Sequence, residues 1–145
     1  GKTPDQIVQI MAAMRQRNSV VMATRIESDV AEQLEAKVEG LRYYPMAKIA
    51  ALTQFSEGIA PARIEPQYSG NIGILSAGTA DLPVAEEAAV TAELSGFRVL
   101  RLWDVGVAGI HRLLDNRHVI AQASVLIVVA GMEGALPSVV AGLAD

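Results

Sequence analysis

Asp81, Asp104 and Glu133 are the residues of this chain whose types and spacing best suit chemistry. Each sits in a run of small residues: Ala77-Gly78-Thr79-Ala80 before Asp81, Val105 to Gly109 after Asp104, and Gly131-Met132 with Gly134-Ala135 around Glu133. Each run follows an apolar stretch with strand character. A carboxylate beside a strand end can hold a metal ion, or act as a general acid or base whose pKa the surrounding crevice sets. A small-residue turn that opens a helix offers unpaired backbone N–H groups, and the positive end of the helix dipole, to an anion. Ser76, Gly78 and Thr79 could cradle a phosphate or carboxylate in this way. An ordinary tight turn is the alternative, because N-I-G-I-L-S-A-G-T-A-D-L-P (71–83) is neither G-x-G-x-x-G nor a Walker loop. For Glu133 the alternatives are a cap on the next helix, a metal ligand or an acid/base. His111 reads first as a surface helix residue, and Arg112 either pairs with a phosphate or is a solvated helix charge. No Ser/His/Asp order or metal-binding His pair is visible.

These residues need elements to position them. Ile72 to Ser76 reads as a strand, with Asp81 able to cap a helix from Leu82 to Leu94 that Pro83 opens and Gly96 terminates. Arg98 to Trp103 reads as the next strand, with Trp103 in the core, then a helix from about Ala108 to His118. Val125 to Ala130 is a continuous apolar run suited to the centre of a parallel sheet, and a last helix runs through Leu143. The order β-α-β-α-β-α implies a parallel sheet with right-handed crossovers. Ligands of such sheets bind outside the carboxyl ends of the strands, so the three acid-bearing turns should line one crevice.

Upstream, Thr3-Pro4-Asp5-Gln6 is a helix start with Ile7, Ile10, Met11 and Met14 as its apolar stripe. Val20 to Thr24 is a short strand. Ser28 or Asp29 can cap a second helix carrying Val30, Leu34 and Val38 on one face, with Gly40 as its stop. Leu41 to Tyr44 and Lys48 to Leu52 are two β-like runs. Residues 1–54 therefore read as a small α-β-α-β-β unit, 55–70 as a linker with two prolines, and 71–145 as the nucleotide-binding or catalytic domain. The expected class is α/β: three layers around a mostly parallel sheet, with a small N-terminal α/β unit. A last helix with no strand after it leads us to expect a C-terminally incomplete domain.

Composition narrows the function. The 145 residues are 51% hydrophobic and 19% charged, which argues for a buried core and against disorder. Aromatics make up 4% and the net charge is −4, so neither a stacking platform nor a basic face for nucleic acid is present. Acids outnumber bases from Asn71 onward. With no cysteine there is no disulfide, thiolate site or thiol nucleophile among these residues. No apolar run reaches membrane-spanning length, and no signal peptide is evident, so a cytoplasmic protein without membrane or nucleic-acid partners is expected.

The segments S-A-G-T-A-D-L-P-V-A-E-E-A-A (76–89), D-V-G-V-A-G-I-H-R-L-L (104–114) and V-A-G-M-E-G-A-L-P-S-V-V-A-G-L (129–143) closely resemble the LarB family of nickel-pincer nucleotide cofactor biosynthesis. The G-K-T-P-D-Q, T-R and Y-Y-P segments resemble that family's N-terminal region. The resemblance implies a flavodoxin-like domain related to phosphoribosylaminoimidazole carboxylase (the PurE type). It implies carboxylation of the pyridinium ring of nicotinic acid adenine dinucleotide by CO2 or bicarbonate, and hydrolysis of its phosphoanhydride. The products would be pyridinium-3,5-biscarboxylic acid mononucleotide and AMP. It further implies Mg2+ and roles for named residues; a homo-oligomer is expected on separate grounds, since an incomplete sheet and apolar helices leave surface to cover. Glu133, then Asp104, with Asp81, would be catalytic, and Glu133 and Asp81 would be metal-linked. Ser76, Gly78, Thr79, Asp81, Gly131, Met132, Gly134, His111 and Arg112 would bind substrate. The family's activating cysteine lies beyond these residues, so the 145 residues alone are expected to be inactive. A purine-pathway aminoimidazole ribonucleotide carboxylase or mutase is an alternative, although its catalytic histidine in the second βα turn has no counterpart there. A non-catalytic nucleotide-binding assembly module is another.

Overall fold

The computed structural model describes residues 1–53 and 65–144. Helix α1 (Pro4–Arg15) begins where local chemistry dictates: the Gln6 N–H donates to Thr3 Oγ1 at 3.3 Å, and the Thr3 N–H donates to Gln6 Oε1 at 2.9 Å. This reciprocal cap satisfies two N–H groups that the helix cannot. Strand β1 (Val20–Ala23), helix α2 (Ser28–Glu35), β2 (Arg42–Tyr44) and β3 (Ile49–Thr53) follow. The strands form an antiparallel sheet in the order β1-β3-β2. Central β3 buries Ile49, Ala50, Ala51 and Leu52, and Met11 of α1 and Leu34 of α2 complete the core.

The N-terminal position of α2 falls on Glu27, not on Ser28 or Asp29. Glu27 makes no cap bond because its carboxylate is paired with Lys48 at 2.7 Å. The helix also stops at Glu35, so Val38 lies in the turn beyond it, and Gly40 follows at φ +78°.

Contacts divide the chain into two compact units, Gly1–Glu65 and Pro66–Asp145. Most of the expected linker, 55–64, lies outside the described residues. Its last residues pack on the second unit, where the Gln67 and Tyr68 N–H groups donate to the Gly96 carbonyl and Tyr68 stacks on Phe97.

The second unit contains β4 (Asn71–Ser76), α3 (Leu82–Leu94), β5 (Arg98–Leu102), α4 (Ile110–Asp115), α5 (Arg117–Ala121), β6 (Val125–Val129) and α6 (Ala135–Ala141). Its strands are parallel in the order β5-β4-β6, with Ile74 level with Arg101 and Ile127. Alternation along β4 sends Ile72 and Ile74 to one face and Leu75 to the other. Ile74 packs on Ala85 and Ala89, whose small side chains bring α3 close to the sheet. Leu75 packs with Leu102, Leu113, Ile120, Leu136 and Val140, so α4, α5 and α6 cover the second face. This is an α/β domain with helices on both faces of a parallel sheet, the flavodoxin-like arrangement.

Three local expectations are corrected. β4 is the central strand, and β6 lies at the edge of the described sheet with Val125 exposed. The span from Ala108 to His118 is a 3-10 turn (Val107–Gly109) followed by two short helices that break at Asn116. There the Asn116 side chain donates to the Arg112 carbonyl at 2.8 Å, while the Asn116 N–H donates to Leu113, so a side chain takes the place of the helical bond. The last helix ends at Ala141 rather than Leu143, with Gly142 at its C-terminal boundary. No helix of the described residues is long and apolar enough to cross a membrane.

Candidate functional site

The carboxyl ends of β4, β5 and β6 lie side by side, and backbone bonds lace their turns together. The Ala77 N–H donates to the Val129 carbonyl at 2.9 Å. The Val105 N–H donates to Ser76 at 3.0 Å, and the Gly106 N–H to Ala77 at 2.9 Å. The approach at Gly106 needs glycine, since a Cβ there would stand 2.6 Å from the Ala77 oxygen. The turns bearing Asp81, Asp104 and Glu133 are thus gathered at one edge of the sheet.

The first turn differs from a simple helix cap. Asp81 precedes α3 but makes no side-chain bond to it. Its Oδ2 instead accepts from the Gly78 N–H at 2.9 Å, closing the 3-10 turn Thr79–Asp81, and its Oδ1 accepts from the Gly131 N–H at 2.8 Å. The first turn of α3 is therefore left without a side-chain cap: the Leu82 N–H donates to the Thr79 carbonyl, Pro83 has no N–H, and Thr79 beside them is exposed. Ser76 is fully buried, its hydroxyl 3.4 Å from the Asp104 N–H.

In the second turn Asp104 has φ +58° and pairs with Arg112, Oδ2 to Nη1 3.1 Å, with both side chains about half exposed. The Arg112 guanidinium lies over Gly109, where a Cβ would come within 2.7 Å of it. His111 is exposed on α4. The third turn holds Glu133 and Gly134 in the left-handed region, both at φ +60°, closed by a 2.7 Å bond from the Gly134 N–H to the Met132 carbonyl. Glu133 does not cap α6, whose N-terminal boundary is Gly134 without a side-chain bond. Glu133 is exposed, and Met132 is 85% exposed.

Sequence reasoning passed over Gly106 and Gly109. The signal was present in D-V-G-V-A-G, where two glycines flank β-branched and small residues, but Gly106 makes room for Ala77, which only the fold brings near, while Gly109 makes room for Arg112 three residues on. No group of three or more His, Cys, Asp or Glu side chains that could hold a metal ion occurs among the described residues. With Asp81 occupied by two backbone N–H groups and Glu133 alone in its turn, these side chains do not assemble a protein cage for Mg2+.

Fold and turns together define a parallel α/β domain with three acid-bearing turns gathered at the carboxyl ends of its strands. Residues 1–54 match the family model for the LarB/PurE-like N-terminal domain. The chain is also 38% identical over 152 residues to the uncharacterized protein MJ0165 of Methanocaldococcus jannaschii, a match covering 100% of this chain and 57% of that protein. It therefore spans somewhat more than half the length of that relative.

Proposed function

We propose that these residues form the dinucleotide-binding part of a LarB-type carboxylase/hydrolase. The substrate in this reading is nicotinic acid adenine dinucleotide. A carboxyl group from CO2 or bicarbonate replaces a ring hydrogen, which leaves as a proton. Water cleaves the phosphoanhydride, giving pyridinium-3,5-biscarboxylic acid mononucleotide and AMP. The observation that carries the reading is that the three segments resembling LarB, 76–89, 104–114 and 129–143, supply the three turns at the carboxyl edge of the sheet. The match of residues 1–54 supports the same family.

Each group has a matching task. The exposed Thr79 hydroxyl, on the small-residue turn ahead of α3, suits a phosphate oxygen. Arg112, held by Asp104, supplies a fixed guanidinium for a second phosphate or a carboxylate. Exposed Glu133 is the acid/base candidate, with His111, Met132 and Gly134 bordering the ligand. Mg2+, where it takes part, would arrive on the phosphates and neutralise their charge, with Glu133 the carboxylate left to meet it. The activating thiol is not among these residues, which assigns them binding and orientation. Cytoplasmic action as a homo-oligomer belongs to the same proposal.

Calorimetric titration of the chain with nicotinic acid adenine dinucleotide tests the reading: saturable one-site binding is expected, weakened about tenfold or more in Arg112→Ala on loss of a charge-assisted bond. No binding by the native chain sinks it. Binding of an aminoimidazole ribonucleotide instead would move the assignment to the purine-pathway carboxylases.

A further inference from the structure

Among the described residues, Asp81 is the side chain that hydrogen-bonds to the turns after both β4 and β6. These strands are neighbours in the sheet, and the Ala77 N–H to Val129 bond at 2.9 Å is the last backbone tie between them. Beyond it the chain diverges into two turns, and the carboxylate spans the gap. Its Oδ2 takes the Gly78 N–H at 2.9 Å and its Oδ1 takes the Gly131 N–H at 2.8 Å. The fit is close, since a Cβ on Gly131 would stand 3.2 Å from Oδ1. Capping accounts for only one of these bonds: the Gly78 bond closes the 3-10 turn ahead of α3, whereas the Gly131 bond reaches a different turn, and α3 itself receives none. The other bond of the third turn, Gly134 N–H to Met132, is internal and does not tie that turn to the first.

We propose that Asp81 is a positioning residue that latches the turn after β6 to the turn after β4. It sets the opening of the crevice through Gly78 and Gly131 rather than by touching the ligand. The proposal deepens the functional reading above and rests on it only for the identity of the ligand. A carboxylate is the side chain suited to the task, since it accepts from two N–H groups at once without presenting a donor to either.

Amide hydrogen exchange, read by NMR on the whole chain without ligand, tests the latch. In Asp81→Ala both the Gly78 and Gly131 amides should exchange at least tenfold faster, while Ile74 and Leu75 in β4 keep their native rates. In Asp81→Asn, which has one acceptor oxygen, only one of the two amides should be released. Native rates at both amides in Asp81→Ala overturn the proposal. Should that variant fail to fold, Gly131→Ala tests the same bond from the other side. Its methyl group crowds Oδ1, and the amide at 131 should be released while the β4 amides are not; a native rate there overturns the latch. A ligand role makes the opposite forecast for Asp81→Asn: dinucleotide binding abolished with both amides still protected, a result that also overturns the proposal. The exchange measurements contain no dinucleotide. Failure of the native chain to bind it would therefore sink the functional reading and leave the latch standing.

Discussion

At the residue scale, the unusual feature of the edge is its backbone. Asp104 and Glu133 hold φ values of +58° and +60°, a region that costs an L-residue roughly 1–2 kcal/mol. Aspartate is tolerated there because its short side chain bonds locally, and Asp104 has Arg112 to hold it. Glutamate has no such excuse, and Glu133 neither caps α6 nor sits in a glutamate-favoured conformation. Strain of this kind at an exposed acid is the mark of a functional constraint in the reading proposed above. Asparagine accepts the left-handed region more readily, so Glu133→Asn should stabilise the chain, by up to about 1 kcal/mol. It should also abolish acid/base function in the full-length enzyme. Thermal melts and an AMP-release assay check the two halves, and a destabilised variant would show that the Glu133 side chain contributes to folding.

At the scale of elements, one phenol of the first unit ties β2 to the chain entering α2. Tyr43 of β2 donates its hydroxyl to the Ile26 carbonyl at 2.7 Å, joining the sheet to the chain entering α2. Desolvation first, then the Glu27 carboxylate, pushes the Tyr43 pKa above its usual value of 10.0, with Lys48 opposing. A raised pKa in the folded state means that the unfolded chain ionises first. The associated stability is therefore complete below about pH 10, the ordinary value for tyrosine. It is lost as pH rises from there through the folded-state pKa. Tyr43→Phe should cost about 1 kcal/mol at neutral pH, the net worth of a typical hydrogen bond, and remove that alkaline loss. Urea titrations at pH 7 and above 10, followed by the amides of the first unit, check both parts. Elements were legible where their causes are local. The reciprocal Thr3–Gln6 cap, and the helix that Pro83 opens and Gly96 closes, are written within a few residues. The break at Asn116 was not, because an apolar period does not register a side chain competing for the Arg112 carbonyl. The apolar run of β6 announced a buried strand, but its place at the edge depends on which strand pairs with β4. The three acids could be listed from the sequence. That Asp81 would meet Gly131, and Gly106 meet Ala77, could not, since those partners are brought together only by the sheet.

At the scale of the molecule, the described residues build two separate cores. Met11, Val21, Leu34, Ala50 and Leu52 build the first within residues 1–53. The clusters around Leu75 and Ile74 build the second wholly from residues after Asn71. Every residue of the candidate site, from Ser76 to Gly134, belongs to the second unit. The single tryptophan, Trp103, packs in that unit against the α3 face, so its fluorescence reports the unfolding of one core and not the other. A ligand stabilises only the cooperative unit that binds it, by about 2.7 kcal/mol at one hundred times its dissociation constant. Saturating nicotinic acid adenine dinucleotide should therefore move the Trp103 urea transition to higher denaturant. It should leave the transition of the Met11 and Ala50 amides, followed by NMR in the same samples, where it was. Equal shifts at both probes would mean that the two cores unfold as one cooperative body. A shift confined to the amides of the first unit would place the dinucleotide away from the three turns.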